Sequence, residues 1–281
     1  DKVDYIVASD TDSIYLTLDK LVQATCKDKT KEETLKFLNK VVSSRIEPFI
    51  DKCFDELAEY TNAIKQKMVM KREVIADKGI WTAKKRYILN VHDMEGVRFA
   101  KPKLKLMGIE TAKSSTPQWV RTRLEEAIKI VMQGDEEQLW DYVETARKEF
   151  RELPPEKVSF PRGCNNLAQY SNMNTVYTKG TPIHVRGALL FNHHLKNKNL
   201  DRRYETIKEG DKILFSYLTL PNVFNENVIS YVGTLPKEFD LHRFIDYDMQ
   251  FNKSFLEPLR NIAERIGWHT EPVASLDSFF S

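Results

Sequence analysis

The sequence predicts an α+β fold. Strands and a packed helix fill the first part of the chain, and a mostly helical region with a few strands follows. Three observations carry this expectation. Short apolar and β-branched runs separated by turn residues cluster before residue 110. Helical spacing of apolar residues dominates after Ser114. The composition is that of a folded chain: 281 residues, 41% hydrophobic and 30% charged, enough for about two ordinary domains.

Several function classes are excluded at once. No apolar run approaches the length of a membrane span, so no membrane partner is expected. Cys26, Cys53 and Cys164 lie far apart without a CxxC pair, which argues against a disulfide framework or a zinc site and fits a reducing cytosol. His193–His194 have no Cys or acid at ligand spacing. The start has neither Met nor a signal-peptide pattern and is expected to be processed or trimmed. A net charge of +2 identifies no partner, so any positive surface must come from local clustering.

The elements follow in order. "VDYIVAS" and "SIYLTLD" read as two strands around a turn at residues 9–13. Leu35, Leu38, Val42, Ile46, Ile50, Phe54 and Leu57 keep helical spacing, with a kink or break expected at Pro48. "KQKMVMKREVIA" and "KKRYILNVHD" read as strands, "DMEG" as a turn, and "VRFAKPKLKLMGIE" as extended chain. "SSTPQWVRTRLEEAIKIVMQG" has a Ser/Thr cap, an early Pro and a Gly stop, so it reads as a helix capped by Ser114 or Ser115. "DEEQLWDYVETARKEFREL" is a second helix, ended by "LPPEKVSFPRG". A loop-rich stretch with some helix runs to about Lys196, and "DKILFSYLTL" and "NVISYVG" are strands. "LHRFIDYDMQFNKSFLEPLRNIAERIG" is a last helical stretch, and the tail "WHTEPVASLDSFFS" is too short and irregular to pack as an element. The natural boundary lies near residue 110.

The densest chemistry is at "ASDTDSIY". With 41 acidic residues in 281, about six acid-x-acid pairs arise by chance, so Asp10 and Asp12 alone make a weak motif. Read alone, they are a solvated turn or a cation site. A hairpin turn needs only one such acid, and two carboxylates aimed together repel unless a divalent cation sits between them. Mg²⁺ suits that role, because it takes one or two carboxylates and fills its remaining positions with water and phosphate oxygens.

"ASDTDSIYLTLDK" closely resembles the DTDS signature on the palm hairpin of family-B DNA polymerases. The segment "MVMKREVIADKGIWTAKKRYILNVHDMEGVRFAKPKLKLMGIETAKSSTPQ" is similar to the next part of the T-even-type bacteriophage replicative polymerases. It carries their "KKRY" primer–template motif and "ETxKSSTP" palm-to-thumb junction. "NNLAQY", "HVRGALLFN" and "SLDSFF" extend the resemblance across essentially the whole chain. Two positions depart from the family: Ser9 stands where Gly is usual, and Lys71–Arg72 precede Glu73 where an acid–Arg pair is usual.

The resemblance implies a partial palm over residues 1–110, with an antiparallel sheet and packed helix. It implies a thumb over 111–268 and a sliding-clamp peptide over 269–281. Asp10 and Asp12 would be the catalytic, Mg²⁺-binding pair of a two-metal site. The family's other palm aspartate, in a D-x-x-S-L-Y-P context, is not found here, nor is the fingers helix K-x-x-x-N-S-x-Y-G or an exonuclease domain. The chain is therefore expected to be the C-terminal subunit of a split DNA-directed DNA polymerase in the cytoplasm of an infected bacterial host. An N-terminal chain would bring the exonuclease, the fingers and the first half of the palm. Primer–template DNA and dNTPs would be its substrates. The alternatives are a non-catalytic DNA- and clamp-binding accessory subunit of the same shape, and an isolated piece of a single-chain polymerase.

The remaining site expectations are residue by residue. A blind reading makes Lys84, Lys85, Arg86 and Tyr87 a solvated strand start. Alternation would send Lys85 and Tyr87 to one face and Lys84 and Arg86 to the other. The resemblance makes them a grip on the duplex, with Lys85 and Tyr87 reading the minor groove and Lys84 and Arg86 serving phosphates or structure. Lys113, Ser114 and Ser115 are expected at a helix start that also suits a phosphate. Asn165, Asn166, His184 and Arg186 match DNA-facing thumb positions, although His184 reads equally as a packed histidine. Leu276, Phe279 and Phe280 form the clamp peptide, or else a frayed tail.

Overall fold

A computed structural model describes residues 4–272. The fold is α+β, and contacts divide the chain into two units. Within the described residues, the first unit runs to Gly79 and resumes over Ile88–Lys105. The second takes in Ile80–Tyr87 and the chain from Leu106 onward.

The first unit opens with the expected hairpin. Strand β1 (Ile6–Asp10) pairs antiparallel with β2 (Ser13–Leu16), and Asp10 faces Ser13 across a two-residue turn. Helix α1 (Asp19–Thr25) follows. Helix α2 (Lys31–Val41) starts at a capping box, in which the Thr30 hydroxyl accepts from the Glu33 N–H and Glu33 accepts from the Thr30 N–H at 2.8 Å.

No break occurs at Pro48. The chain passes from α2 through a π-helical turn, Val42–Ile46, into α3 (Glu47–Tyr60), with Pro48 in the first turn of α3. Proline cannot donate to the preceding turn and its ring crowds the carbonyl four residues back. A widened turn absorbs both problems without ending the helix.

The stretch before β3 (Val74–Ala83) is not strand, contrary to the reading of "KQKMVMKREVIA". Its polar groups are spent elsewhere: the Arg72 N–H donates to Glu47 at 3.1 Å and the Gln66 amide donates to the Met68 carbonyl at 3.0 Å. Strands β4 (Arg86–Met94) and β5 (Val97–Met107) complete a three-stranded sheet in the order β3-β4-β5.

The second unit has a dense core. Helix α4 (Gln118–Gln133) turns Val120, Leu124, Ala127, Ile128 and Val131 inward. It packs on α5 (Glu136–Arg151), which contributes Leu139, Val143, Ala146 and Phe150. Neither Ser114 nor Ser115 caps α4; Pro117 holds the cap position, without a side-chain hydrogen bond. The residue before a proline is pushed toward extended backbone, which bars Thr116 from the helix, and Pro117 is itself extended at ψ 143°, so the helix begins at Gln118. Asp135 does cap α5, accepting from the Gln138 N–H at 2.9 Å.

The region read as loop-rich holds more structure. Short α6 (Pro155–Val158) leads into β6 (Phe160–Gly163), α7 (Leu167–Tyr170), the two-residue strands β7 (Ser171–Asn172) and β8 (Val176–Tyr177), and the long α8 (Ile183–Asn197). Strands β9 (Lys212–Tyr217) and β10 (Val228–Tyr231) form an antiparallel sheet with β6, in the order β10-β9-β6. Helix α8 lies so close to β10 that a Cβ on Gly187 would come within 2.7 Å of the Ser230 backbone nitrogen. Only glycine fits there without a shift.

The last helices repeat the Pro48 device. After α9 (Tyr247–Phe251), a π-helical turn at Asn252–Leu256 precedes α10 (Glu257–Ala263), with Pro258 in its first turn. Phe150 meets Trp119 and Phe251, with ring centroids at 5.5 and 5.2 Å, while Phe160 stacks on Phe215 at 5.1 Å. The start of the tail is held after all. The Trp140 indole donates to the His269 carbonyl at 2.9 Å, Arg147 pairs with Glu271, and Thr270 is buried.

Candidate functional site

The acidic pair sits where the hairpin turns. Asp10 ends β1 and is half-buried, and Asp12 lies in the exposed turn. The Asp10 carboxylate accepts from the Thr11 N–H at 2.9 Å and from the Thr11 hydroxyl at 3.3 Å. Strand pairing to Ser13 fixes the Asp10 backbone and Thr11 aims its carboxylate, while Asp12 stands in the turn itself. No cluster of three or more His, Cys, Asp or Glu side chains gathers among the described residues. The chain thus offers two hard oxygen ligands on one turn. Such a donor set fits Mg²⁺, which leaves its remaining positions to water, phosphate and groups from elsewhere.

The basic motif is arranged differently from a strand with alternating faces. Lys84 and Lys85 form the turn between β3 and β4, both exposed, and Lys85 takes a left-handed φ of 60°. Only Arg86 and Tyr87 lie on β4. Tyr87 is 8% exposed, with its ring 6.2 Å from that of Trp81, so it packs beneath the turn and does not share an open face with Lys85. Arg86 donates to Glu110 at 2.6 Å, and Lys113 donates to the same carboxylate oxygen at 2.8 Å. Gly108 (φ 66°) lies against the turn, where an added Cβ would stand 2.6 Å from the Lys85 carbonyl oxygen. Gly108 and Glu110, neither foreseen from sequence, join the basic turn to the junction after β5. Burial works against ionisation of Glu110, but the hydrogen bond from Lys113 and the charge of Arg86 hold its pKa below the usual carboxylate value.

At that junction a polar cleft of about 300 Å³ opens within the second unit. Lys113, Ser115, Thr116, Arg162, Lys253 and Asn261 line it, together with Glu110, Glu257, Phe160, Ser254 and Pro258. Ser114 is exposed, and the Ser115 carbonyl accepts from Arg162 at 2.8 Å. Sequence could not place Arg162 here, because its carbonyl partner lies 47 residues upstream.

The thumb-like positions are separated. Asn165 is exposed, and Asn166 takes a left-handed φ of 64° at the start of α7. The backbone N–H groups of Asn166 and Leu167 both donate to the Glu209 carboxylate, at 2.5 and 3.0 Å. Arg186 donates to Asn227 and lies 5.6 Å from the centroid of the Tyr177 ring. No hydrogen bond joins Arg186 to Asn165 or Asn166 among the described residues. His184 is half-buried beside Phe215, and burial and then the charge of Arg162 lower its pKa, as for a packed neutral histidine. Leu276, Phe279 and Phe280 lie outside the described residues.

The first unit carries a further feature that the motifs do not explain. Helices α1, α2 and α3 contain no buried residue. Phe49 is 67% exposed and Tyr60 86%, and Ile6, Val7, Ile14, Leu16, Leu57, Met68 and Val69 are exposed with them. Scattered apolar exposure is normal, and here it is concentrated in the first unit.

The profile of the divergent family B DNA polymerases matches residues 3–141. The chain is 37% identical to the DNA-directed DNA polymerase of Enterobacteria phage T4, over 99% of this chain and 32% of that protein. It is 38% identical to the DNA-directed DNA polymerase of Escherichia phage RB69, over 98% of this chain and 32% of that protein. The chain therefore spans about a third of the length of these relatives.

Proposed function

We propose that this chain, whose residues 3–141 match the divergent family B DNA polymerases, is a member of that family and the C-terminal subunit of a split enzyme, supplying half of the palm and the thumb. The observation that carries this reading is the acidic hairpin standing on a unit whose three helices bury nothing. On this reading the hairpin is the family's metal site, and the exposed apolar side chains of the first unit are what a second chain would cover. A second chain bearing the exonuclease, the fingers, the first half of the palm and the other aspartate would provide both cover and chemistry. The setting is the cytoplasm of an infected bacterial host.

In this reading Asp10 and Asp12 would hold Mg²⁺, with Asp10 oriented by Thr11 and Asp12 ranked first by the family resemblance. Bound Mg²⁺ would lower the pKa of the primer hydroxyl and neutralise charge on the dNTP phosphates. The chain's own residues position the DNA. Lys84 and Lys85 reach the duplex from an exposed turn. Arg86, Glu110, Gly108 and Tyr87 hold that turn in place. Asn165, Asn166 and Arg186 serve the thumb's DNA-facing side, and Leu276, Phe279 and Phe280 tether the enzyme to a sliding clamp. Tethering raises the local concentration of the enzyme at the primer end without altering the site.

Primer extension tests the reading. The purified chain alone is expected to give none, and addition of the N-terminal polymerase chain is expected to restore it. Synthesis by the chain alone overturns the split-site account. A paired complex that binds primer–template but synthesises nothing supports an accessory subunit instead. Deletion from Ser275 is expected to remove clamp-dependent processivity and to spare distributive synthesis.

A further inference from the structure

The cleft beside the β5–α4 junction contains a cation whose charge nothing in its surroundings neutralises. Lys253 holds Glu257 at 2.6 Å and Lys113 holds Glu110 at 2.8 Å, a carboxylate it shares with Arg86, so both cleft lysines have a carboxylate partner. Among the described residues Arg162 has none within ion-pair distance. Its Nη1 donates to the carbonyls of Ser115 and Pro161, at 2.8 and 2.9 Å. Its guanidinium carbon lies 5.8 and 5.9 Å from the ring centroids of Phe160 and Phe215. These contacts hold the group in place, but two carbonyls and two rings do not cancel a full charge.

Holding an arginine half-buried in this way is costly. Burial draws its pKa down, and no neighbouring carboxylate offsets the loss of water. A planar guanidinium in a polar cleft that Lys113 and Lys253 also line is suited to a tetrahedral oxyanion. Glu110, on the cleft wall, also pairs with Arg86 at the base of the Lys84–Lys85 turn, so cleft and turn share one support.

We infer that Arg162 binds an internucleotide phosphate of the nucleic-acid backbone in this cleft, which Lys113 and Lys253 also line. The inference rests on the DNA-binding reading given above. It adds an anchor outside the motifs that suggested that reading. An arginine that meets only a phosphate contributes affinity without sequence preference, and its contribution appears in the salt dependence of binding.

The test is a salt titration of the full chain with a primer–template duplex, using the wild type, Arg162→Gln, Arg162→Lys and Asn261→Asp. Asn261 is exposed on the cleft wall, so the aspartate places a competing carboxylate there without disturbing the core. Arg162→Gln is expected to weaken binding about ten-fold and to reduce the slope of log affinity against log salt by about 0.9, one phosphate's share. Asn261→Asp is expected to reduce the slope in the same direction. Arg162→Lys keeps the charge and is expected to keep the slope. Unchanged affinity and slope in both Arg162→Gln and Asn261→Asp overturn the inference alone. Equal weakening by Arg162→Gln and Arg162→Lys with the wild-type slope makes Arg162 a packing residue and also overturns it. A wild-type chain with no duplex affinity overturns the DNA-binding reading, and the inference with it.

Discussion

The two units differ in what they do with apolar side chains. The second buries Phe150, Phe191, Phe239, Phe251 and Phe255 completely or nearly so, and its exposed apolar residues, such as Met173 and Leu220, are scattered. The first has an amphipathic α2 and α3 with no buried residue between them, and exposes Phe49, Tyr60 and both strands of the acidic hairpin. Both units follow the same local rules. The π-turn before Glu47–Pro48 and the one before Glu257–Pro258 are the same solution to the same steric problem. Beside the second proline, however, Phe255 and Leu259 are buried, while beside the first Phe49 lies open. Local structure therefore forms wherever the sequence specifies it, and burial decides whether a unit can stand alone.

The largest effect should come from the unit with the thinner core. In the enzyme reconstituted with its partner, Asp12→Ala is expected to abolish synthesis, by on the order of 10²–10³-fold or more, and Asp10→Ala to impair it strongly. Duplex affinity should survive both changes. Near-normal turnover of Asp12→Ala in Mg²⁺ would show that the first unit supplies surface and no chemistry.

Paired truncations sharpen the contrast in stability. Phe150→Ala should cost about 3–5 kcal/mol, as for a fully buried aromatic, whereas Phe49→Ala should change the stability of the isolated chain by about 0.5 kcal/mol or less. Trp81, Trp119, Trp140 and Trp268 all belong to the second unit, so tryptophan fluorescence follows Phe150→Ala there, and far-UV circular dichroism, which also reads α2 and α3, follows Phe49→Ala. Phe49→Ala becomes costly only once a partner covers it, which pull-down affinity for the N-terminal chain would reveal. Equal costs for the two substitutions in the isolated chain would break the comparison.

Much of this was legible in sequence. Alternation around two acids specified the hairpin, and helical spacing specified α2 to α5. What escaped depended on distant partners. Helix α8 lies in an almost wholly apolar run, Val185–Phe191, because it is buried on most sides, so its period is faint. Strand β6 is four residues long and starts Phe-Pro, and only its partner β9 identifies it. At the site, sequence found Lys84 and Lys85 but assigned them to strand faces, because it could not see that Lys85 turns the chain with a left-handed φ. Glu110 and Gly108 carry no local signal, since what they support lies some twenty residues away.

The basic turn sets the next scale of effect. Lys85→Ala is expected to weaken duplex binding about three- to ten-fold and to lower the salt slope. Tyr87→Phe is expected to weaken it less and to raise misextension, because Tyr87 is buried beneath the turn. Fluorescence polarisation with matched and mismatched primer ends would measure both. Unchanged affinity and unchanged mismatch extension in both would make the motif purely structural.

The smallest effect is a dependence on pH in the second unit. His194 stacks on Phe224 at 3.5 Å, and burial lowers its pKa from 6.5 to about 4. The unfolded chain therefore takes up a proton at a pH where the folded unit does not. The stabilisation is fully present above about 6.5 and is lost as pH falls toward 4. It should amount to on the order of 1–2 kcal/mol, given partial access of water. Tryptophan-monitored unfolding at stepped pH should show this slope, and His194→Phe should flatten it.

In the proposed enzyme the first unit is completed by another chain. Hydrogen exchange of the full-length chain, with and without the N-terminal polymerase chain, tests it most directly. The predicted result is fast exchange in α2 and α3 beside slow exchange in α4, α5 and α8 for the chain alone. On pairing, protection should rise in α2, α3 and the acidic hairpin and change little in the thumb-like helices. Protection of α2 and α3 equal to that of α4 and α5 in the chain alone, and unaltered by the partner, would contradict it.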